Sequence, residues 1–117
     1  MSCQNLQVYQ RAHEFGVACH RLSMDLPKFE LFESGSQLRR ASKSVSANIV
    51  EGYGRREYAA EYHRFLVIAL ASNDEAGEWL RYLAECHPDK ASAVEPLQSE
   101  NQEIGRMLNR FIGSLGS

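Results

Sequence analysis

Only three prolines occur in this chain, at Pro27, Pro88 and Pro96, and the long segments between them carry apolar residues at helical spacing. Val8, Ala12, Phe15, Cys19, Leu22 and Leu26 alternate in steps of four and three, which is one face of a helix that must end at Pro27. Residues 27–34 form a connection whose Phe29, Leu31 and Phe32 are expected to tuck under the end of the molecule. A second helix is predicted from about Gln37 to Tyr53, with Leu38, Ala41, Val45, Ile49 and Gly52 on its stripe. Ser34 or Ser36 is suited to cap it, and Gly52 and Gly54 to close it through a positive φ. The third runs from about Glu57 to Cys86, unless Asn73–Asp74 breaks it and Ser72 caps a new start; His87–Pro88 stops it.

The fourth helix spans about Ser92 to Leu115 and carries Leu97, Ile104, Leu108, Phe111 and Leu115. Pro96 either belongs to its first turn, with the regular helix starting at Glu95, or kinks that turn. No alternating β pattern competes. Four helices on short connections predict an all-α, antiparallel up-and-down four-helix bundle, and 117 residues suffice for one domain, residues 1–117, and not for two.

Composition narrows the class further. Thirteen Lys and Arg against fifteen Asp and Glu leave a net charge of -2, which excludes a polybasic protein but not a local basic face. The three cysteines are widely spaced with no C-x-x-C, so reduced thiols are expected. The longest apolar run, residues 65–71, has seven residues, against the roughly 20 that span a bilayer. With no charged-then-apolar leader at the start, the expectation is a soluble cytoplasmic protein without membrane association. The same run places apolar side chains all round the third helix. A four-helix monomer buries one stripe of each helix, so the outer surface needs cover, from a second copy of the chain or from the Phe29–Phe32 connection. Self-association is the favoured expectation, because Tyr58, Tyr62, Trp79 and Tyr82 extend the apolar content of this helix.

The second helix and its exit read Gln37-Leu38-Arg39-Arg40-Ala41, then Ser44 to Gly52 (SVSANIVEG), then Gly54-Arg55-Arg56. This combination resembles the four-helix-bundle family encoded in intervening sequences of bacterial large-subunit ribosomal RNA genes, sometimes labelled a ribosomal protein. It is similar also to the accessory variability determinant proteins of diversity-generating retroelements. Leu6–Ala12 and Phe65–Ser72 with Glu75 fit as well, whereas Ser46 stands where the family usually has Pro. The resemblance implies a bundle that assembles into a ring, often a pentamer, with a central opening. It implies no enzyme activity, and its retroelement relatives suggest nucleic-acid binding.

Charge supports a nucleic-acid reading locally. Residues 39–64 hold six basic residues against three acids, and residues 65–117 four against eight. Arg39, Arg40 and Lys43 share one arc of the helical wheel opposite Leu38, Val45 and Ile49. With Arg55 and Arg56 they are the candidate phosphate contacts, to RNA or DNA, against the alternative of solvated residues or intersubunit ion pairs. Asn48 and Glu51, on and beside the apolar stripe, are the candidate structural polar network, with Arg40 or another subunit's Arg as partner. Trp79 and Tyr82 are read as packing residues rather than base-stacking platforms.

No catalytic, cofactor or metal site is expected. No His follows a Glu by three residues, and none has a His or Cys at i+3 or i+4. Gly52-Tyr53-Gly54-Arg55 lacks the third glycine and preceding strand of a dinucleotide fingerprint. The acids Asp74, Glu75 and Glu78 could bind a cation, but a solvated acidic face explains them at least as well. The expectation is a non-enzymatic oligomeric scaffold, nucleic-acid-associated. The alternative is a purely structural oligomer that serves a protein partner.

Overall fold

A computed structural model describes residues 2–115. After a short 3-10 turn at Cys3–Asn5 come α1 (Gln7–Met24), α2 (Lys28–Phe32), α3 (Ser34–Gly54), α4 (Ala59–Cys86) and α5 (Ala91–Leu115), the last preceded by a 3-10 turn at Pro88–Lys90. No strand occurs among the described residues. The four long helices form a bundle 45 Å long and about 20 Å across, in which α1 packs on α3, α3 on α4, α4 on α5 and α5 back on α1. Short connections between sequential neighbours dictate this order. No described helix is long and apolar enough to cross a membrane.

One stripe from each helix fills the core. Ala12, Phe15 and Cys19 of α1 meet Leu38, Val45 and Ile49 of α3, Leu66, Ala69, Ala76, Leu80 and Leu83 of α4, and Val94, Ile104 and Leu108 of α5. Those of α1, α3 and α5 lie on the predicted faces or continue them, whereas α4, read from sequence as apolar all round over residues 65–71, gives the core one stripe. Burial pushes the Cys19 thiol up to about 12, so it stays protonated and packs as a small apolar residue.

Asn73 does not break α4. It is buried, and its amide Nδ2 donates to the Asn101 carbonyl oxygen of α5 at 2.8 Å. Asn101 Nδ2 in turn donates to the Asn73 carbonyl oxygen at 2.7 Å and to its Oδ1 at 3.1 Å. Each asparagine is followed four residues later by a glycine, Gly77 and Gly105, and these make room for the opposing amide. A Cβ on Gly77 would stand 2.6 Å from Asn101 Oδ1, and one on Gly105 would stand 3.4 Å from Asn73 Nδ2.

The connection between the first two long helices departs from expectation. It contains the short helix α2, and Phe29 and Phe32 are 64% and 69% exposed rather than tucked under the bundle. The residue that turns inward is Glu30, whose Oε2 meets His87 Nε2 at 2.7 Å and whose Oε1 accepts from the Ser34 N–H at 3.1 Å. Phe29 lies against the His87 ring, centroids 6.3 Å apart. A five-residue helix has one inward position per turn, and Glu30, hydrogen-bonded to His87, takes it. Glu30 also satisfies a free N–H at the start of α3, so neither Ser34 nor Ser36 caps that helix; its N-cap position, Glu33, makes no side-chain cap bond.

The glycines at the end of α3 likewise differ in role. No described glycine has positive φ. Gly52 is helical and buried, and a Cβ there would stand 3.1 Å from Phe65 Cβ, so it allows α3 and α4 to close on each other. Pro96 sits in the second turn of α5, which begins at Ala91, so the Ser92 carbonyl has no N–H four residues on to bond.

Alanine normally stabilises a helix over glycine by about 1 kcal/mol. Gly113→Ala, with nothing within 4 Å of the added Cβ, should therefore raise the urea midpoint slightly. Gly77→Ala should lower it, and Asn73→Ala should cost about 1–3 kcal/mol by leaving buried polar groups unpaired. Glu30 is held below the ordinary carboxylate range, first by its hydrogen bonds to Ser34 and then by His87. A depressed folded-state value contributes stability above the unfolded value and loses it as pH falls through the folded one. Urea midpoints should therefore drop as acid takes the protein below the ordinary glutamate range, and Glu30→Gln should start lower at neutral pH and show a shallower acid loss.

Candidate nucleic-acid interface

The five predicted basic residues all belong to α3 or its exit, and the fold divides them into three groups. Arg39 is half-buried and tied down. Its Nη1 donates to Ser23 Oγ at 2.9 Å and its Nη2 to the Leu31 carbonyl oxygen at 2.9 Å, clamping the end of α1 and the end of α2 onto α3. This corrects its assignment to the outward arc. About 100° of wheel angle separates it from Arg40, enough to aim it into the α1–α3 seam rather than at solvent.

Arg40 and Lys43 are exposed on the outer side of α3, as the wheel predicts, and neither makes an ion pair or side-chain hydrogen bond among the described residues. Lys43 lines a groove of about 530 Å³ between α1 and α3, together with His13, Val17, His20, Arg21 and Ser46. No carboxylate lines it. Gly16 is part of its wall, and a Cβ there would stand only 3.6 Å from the Ser42 carbonyl oxygen.

Arg55 and Arg56 lie twelve and thirteen residues beyond Lys43, roughly 18 Å along the helix axis, at the α3–α4 turn. Arg55 is partnered by Glu51 at 3.5 Å and Glu61 at 3.6 Å, and its guanidinium sits 4.9 Å from the centroid of the Phe65 ring. Arg56 donates through Nη1 to the Tyr53 carbonyl oxygen at 2.9 Å and stacks over the Tyr53 ring at 4.1 Å. Both shape the turn. The structure therefore does not gather the five residues into one patch.

The predicted polar network also changes partners. Asn48 Nδ2 donates to the Ser44 carbonyl oxygen at 2.8 Å and to Ser44 Oγ at 2.9 Å, and Ser44 Oγ meets Ser72 Oγ of α4 at 2.9 Å. Arg40 is no part of it, being exposed on the outer face. Glu51 is exposed and faces Arg55, so it too lies outside the network. The more deeply buried polar pairs, Asn73 with Asn101 and Glu30 with His87, were not singled out from sequence. The paired N-x-x-x-G spacing of Asn73/Gly77 and Asn101/Gly105 was a legible signal for the first, whereas nothing local marks the second, whose members are 57 residues apart. Trp79 is half-buried and donates through Nε1 to Glu75 Oε2 at 3.0 Å; Tyr82, beside it at 5.8 Å, is half-exposed.

The sequence model of the family described as 23S rRNA-intervening sequence protein matches residues 4–110. The chain belongs to that family. A crystal structure of a protein of unknown function from the S23 ribosomal protein family of Bacteroides thetaiotaomicron superposes on it with a TM-score of 0.82. The two are 26% identical, over 91% of this chain and 95% of that one. No curated protein matches the chain. The chain thus shares its bundle, over nearly all of its length, with a member of the S23 group.

Arg39 and Arg40 separate structural from surface roles. Arg39→Ala should cost about 1–3 kcal/mol in urea unfolding, because Ser23 Oγ and the Leu31 carbonyl lose their donor. Arg40→Ala should change stability by no more than about 0.5 kcal/mol.

Proposed function

We propose that the protein is a non-enzymatic, oligomeric four-helix-bundle scaffold that associates with nucleic acid in the cytoplasm through the outer face of α3. The observation that carries this reading is the pair Arg40 and Lys43, exposed, without carboxylate partners among the described residues, and beside a groove lined by further basic groups. Unpaired cations fixed on a rigid helix bind phosphates through charge-assisted hydrogen bonds and counterion release, with little sequence preference.

Assembly into a ring, a pentamer on the family resemblance, is the second part of the proposal. Its support is the outer side of α4, where Val67 is 42% exposed and Ala71 is exposed beside it. The α2 segment does not cover this surface. It packs against α3 and reaches α4 at His87, twenty residues and roughly 30 Å from Val67. Ring symmetry would repeat the Arg40–Lys43 face around the assembly and multiply weak phosphate contacts.

The test is a titration of labelled RNA and DNA at low and physiological salt, with the mass determined on the same sample. Binding should fall steeply with salt, and Arg40→Ala/Lys43→Ala should abolish it with the oligomer mass unchanged. Loss of the oligomer in that variant would make these residues subunit contacts, and would favour the competing reading of a scaffold for a protein partner. A monomer mass at micromolar concentration would overturn the ring.

A further inference from the structure

The short helix α2 is amphipathic in the wrong sense for a monomer. Its one buried side chain is charged, Glu30, and its two phenylalanines point to solvent, Phe29 64% and Phe32 69% exposed. The other phenylalanines are placed differently: Phe15 is buried, and Phe65 and Phe111 are half-buried. A turn of α2 by about 100° about its axis would exchange these environments, and three hydrogen bonds oppose it. Glu30 is held by the Ser34 N–H at 3.1 Å and by His87 Nε2 at 2.7 Å, and the Leu31 carbonyl oxygen by Arg39 Nη2 at 2.9 Å. The phenylalanines are therefore fixed outward on a rigid mount. Met24, at the end of α1, adds a third exposed apolar side chain four residues before α2 begins.

Soluble monomers seldom expose contiguous apolar surface beyond a few hundred Å². An aromatic side chain has roughly 150–250 Å² to bury, so Phe29 and Phe32 each present about 100–170 Å². With Met24 the apolar area is roughly 300–450 Å² per chain, or about 600–900 Å² for two copies face to face. Homodimer interfaces are about 65% apolar, which puts the whole contact at roughly 900–1,400 Å² and within reach of the roughly 1,200 Å² at which stable interfaces begin. Charge favours the same occupant. Lys28 opens α2 and Glu33 follows it; both are exposed, and neither makes an ion pair or side-chain hydrogen bond among the described residues. Asp25 before α2, and Asp89 and Lys90 beyond His87, keep both signs around the patch. A partner of one sign would satisfy one of Lys28 and Glu33 and repel the other, whereas a second copy offers each its opposite.

We propose that the α2 end of the bundle is a self-association surface, on which Phe29 and Phe32 of two copies pack together about a two-fold axis and Lys28 of each meets Glu33 of the other. Such a contact is isologous, the same patch on both chains. It is separate from the outer side of α4 assigned to the ring, where Val67 lies roughly 30 Å from His87. The inference goes beyond that reading and does not need it. Where the sides of the bundle close a ring, the α2 contact joins two rings face to face; where they do not, it gives a dimer.

The experiment is sedimentation velocity on the full chain at micromolar concentration. The native mass should be an even multiple of the 13.2 kDa chain, and Phe29→Ser/Phe32→Ser should halve it. Lys28→Glu should weaken the association on the order of tenfold by opposing like charges, and Lys28→Glu/Glu33→Lys should restore it. Helix content by circular dichroism identifies a serine variant that fails to fold, in which case the charge swap decides. Val67→Glu, on the outer side of α4, separates this contact from the ring. It should reduce a paired ring to dimers; a native dimer that it leaves unchanged removes the ring and keeps the α2 contact. An odd multiple above one, or a mass that Phe29→Ser/Phe32→Ser leaves unchanged, overturns the inference and leaves the ring standing. Collapse of an assembly larger than a dimer to single chains in that variant makes α2 a ring contact and overturns the two-fold pairing. A single-chain native mass overturns both.

Discussion

The reciprocal amide pair of Asn73 and Asn101 sets the relation of α4 to α5, and through it the closure of the bundle. An apolar helix face tolerates several sliding registers, because one leucine packs nearly as well as another. An asparagine buried at the same interface tolerates one, since any slip of a turn would leave two amides and two backbone carbonyls without partners. The glycines four residues on from each asparagine belong to the same device. They let the two helices approach until each amide reaches the opposite backbone, with a Cβ at Gly77 excluded by the Asn101 oxygen at 2.6 Å. α1 then packs on α5 and α3 with Arg11–Glu100 on one flank and Arg39–Ser23 on the other.

The end of the bundle that carries α2 obeys a related economy of polar groups. One carboxylate, Glu30, receives the Ser34 N–H at the start of α3 and binds the His87 ring at the end of α4. One guanidinium, Arg39, joins the ends of α1 and α2 to α3. Four helix ends are thereby tied together, and two backbone groups that such ends leave unsatisfied, the Ser34 N–H and the Leu31 carbonyl, gain partners. The consequence is that α2 turns its phenylalanines outward, and that Arg39 is withdrawn from the basic surface. The surface that remains basic is narrower than the sequence suggests along α3, but deeper, because the groove adds residues from α1.

The helical bundle was legible because its signals are local. Pro27 and His87–Pro88 end helices wherever they occur, and the apolar stripes of α1, α3 and α5 follow a period that only a helix satisfies. The exposed outer side of α4, carrying Val67 and Ala71, followed from the same periodicity: seven consecutive apolar residues cannot all face one core. Outward placement of Arg40 and Lys43 came from wheel angle alone. What was not legible required knowledge of a distant neighbour. Glu30 reads as an ordinary surface acid until His87 is placed beside it, and although a shared N-x-x-x-G spacing marks Asn73 and Asn101, only the fold brings their amides together. Arg39 and Arg40 are adjacent in sequence and equal in chemistry, yet only one meets Ser23.

By itself, then, the sequence determined that this chain forms four long helices, about where each ends, and which stripe of α1, α3 and α5 is apolar, because propensity, proline and the 3.6-residue period act over a few residues. The tertiary structure alone decided which polar groups are consumed in holding the helices together and which remain at the surface, because a hydrogen bond or ion pair depends on what another helix brings within 3 Å. That distinction separates Arg39 from Arg40, and it places His13 and His20 of α1 beside Lys43 of α3 in one groove.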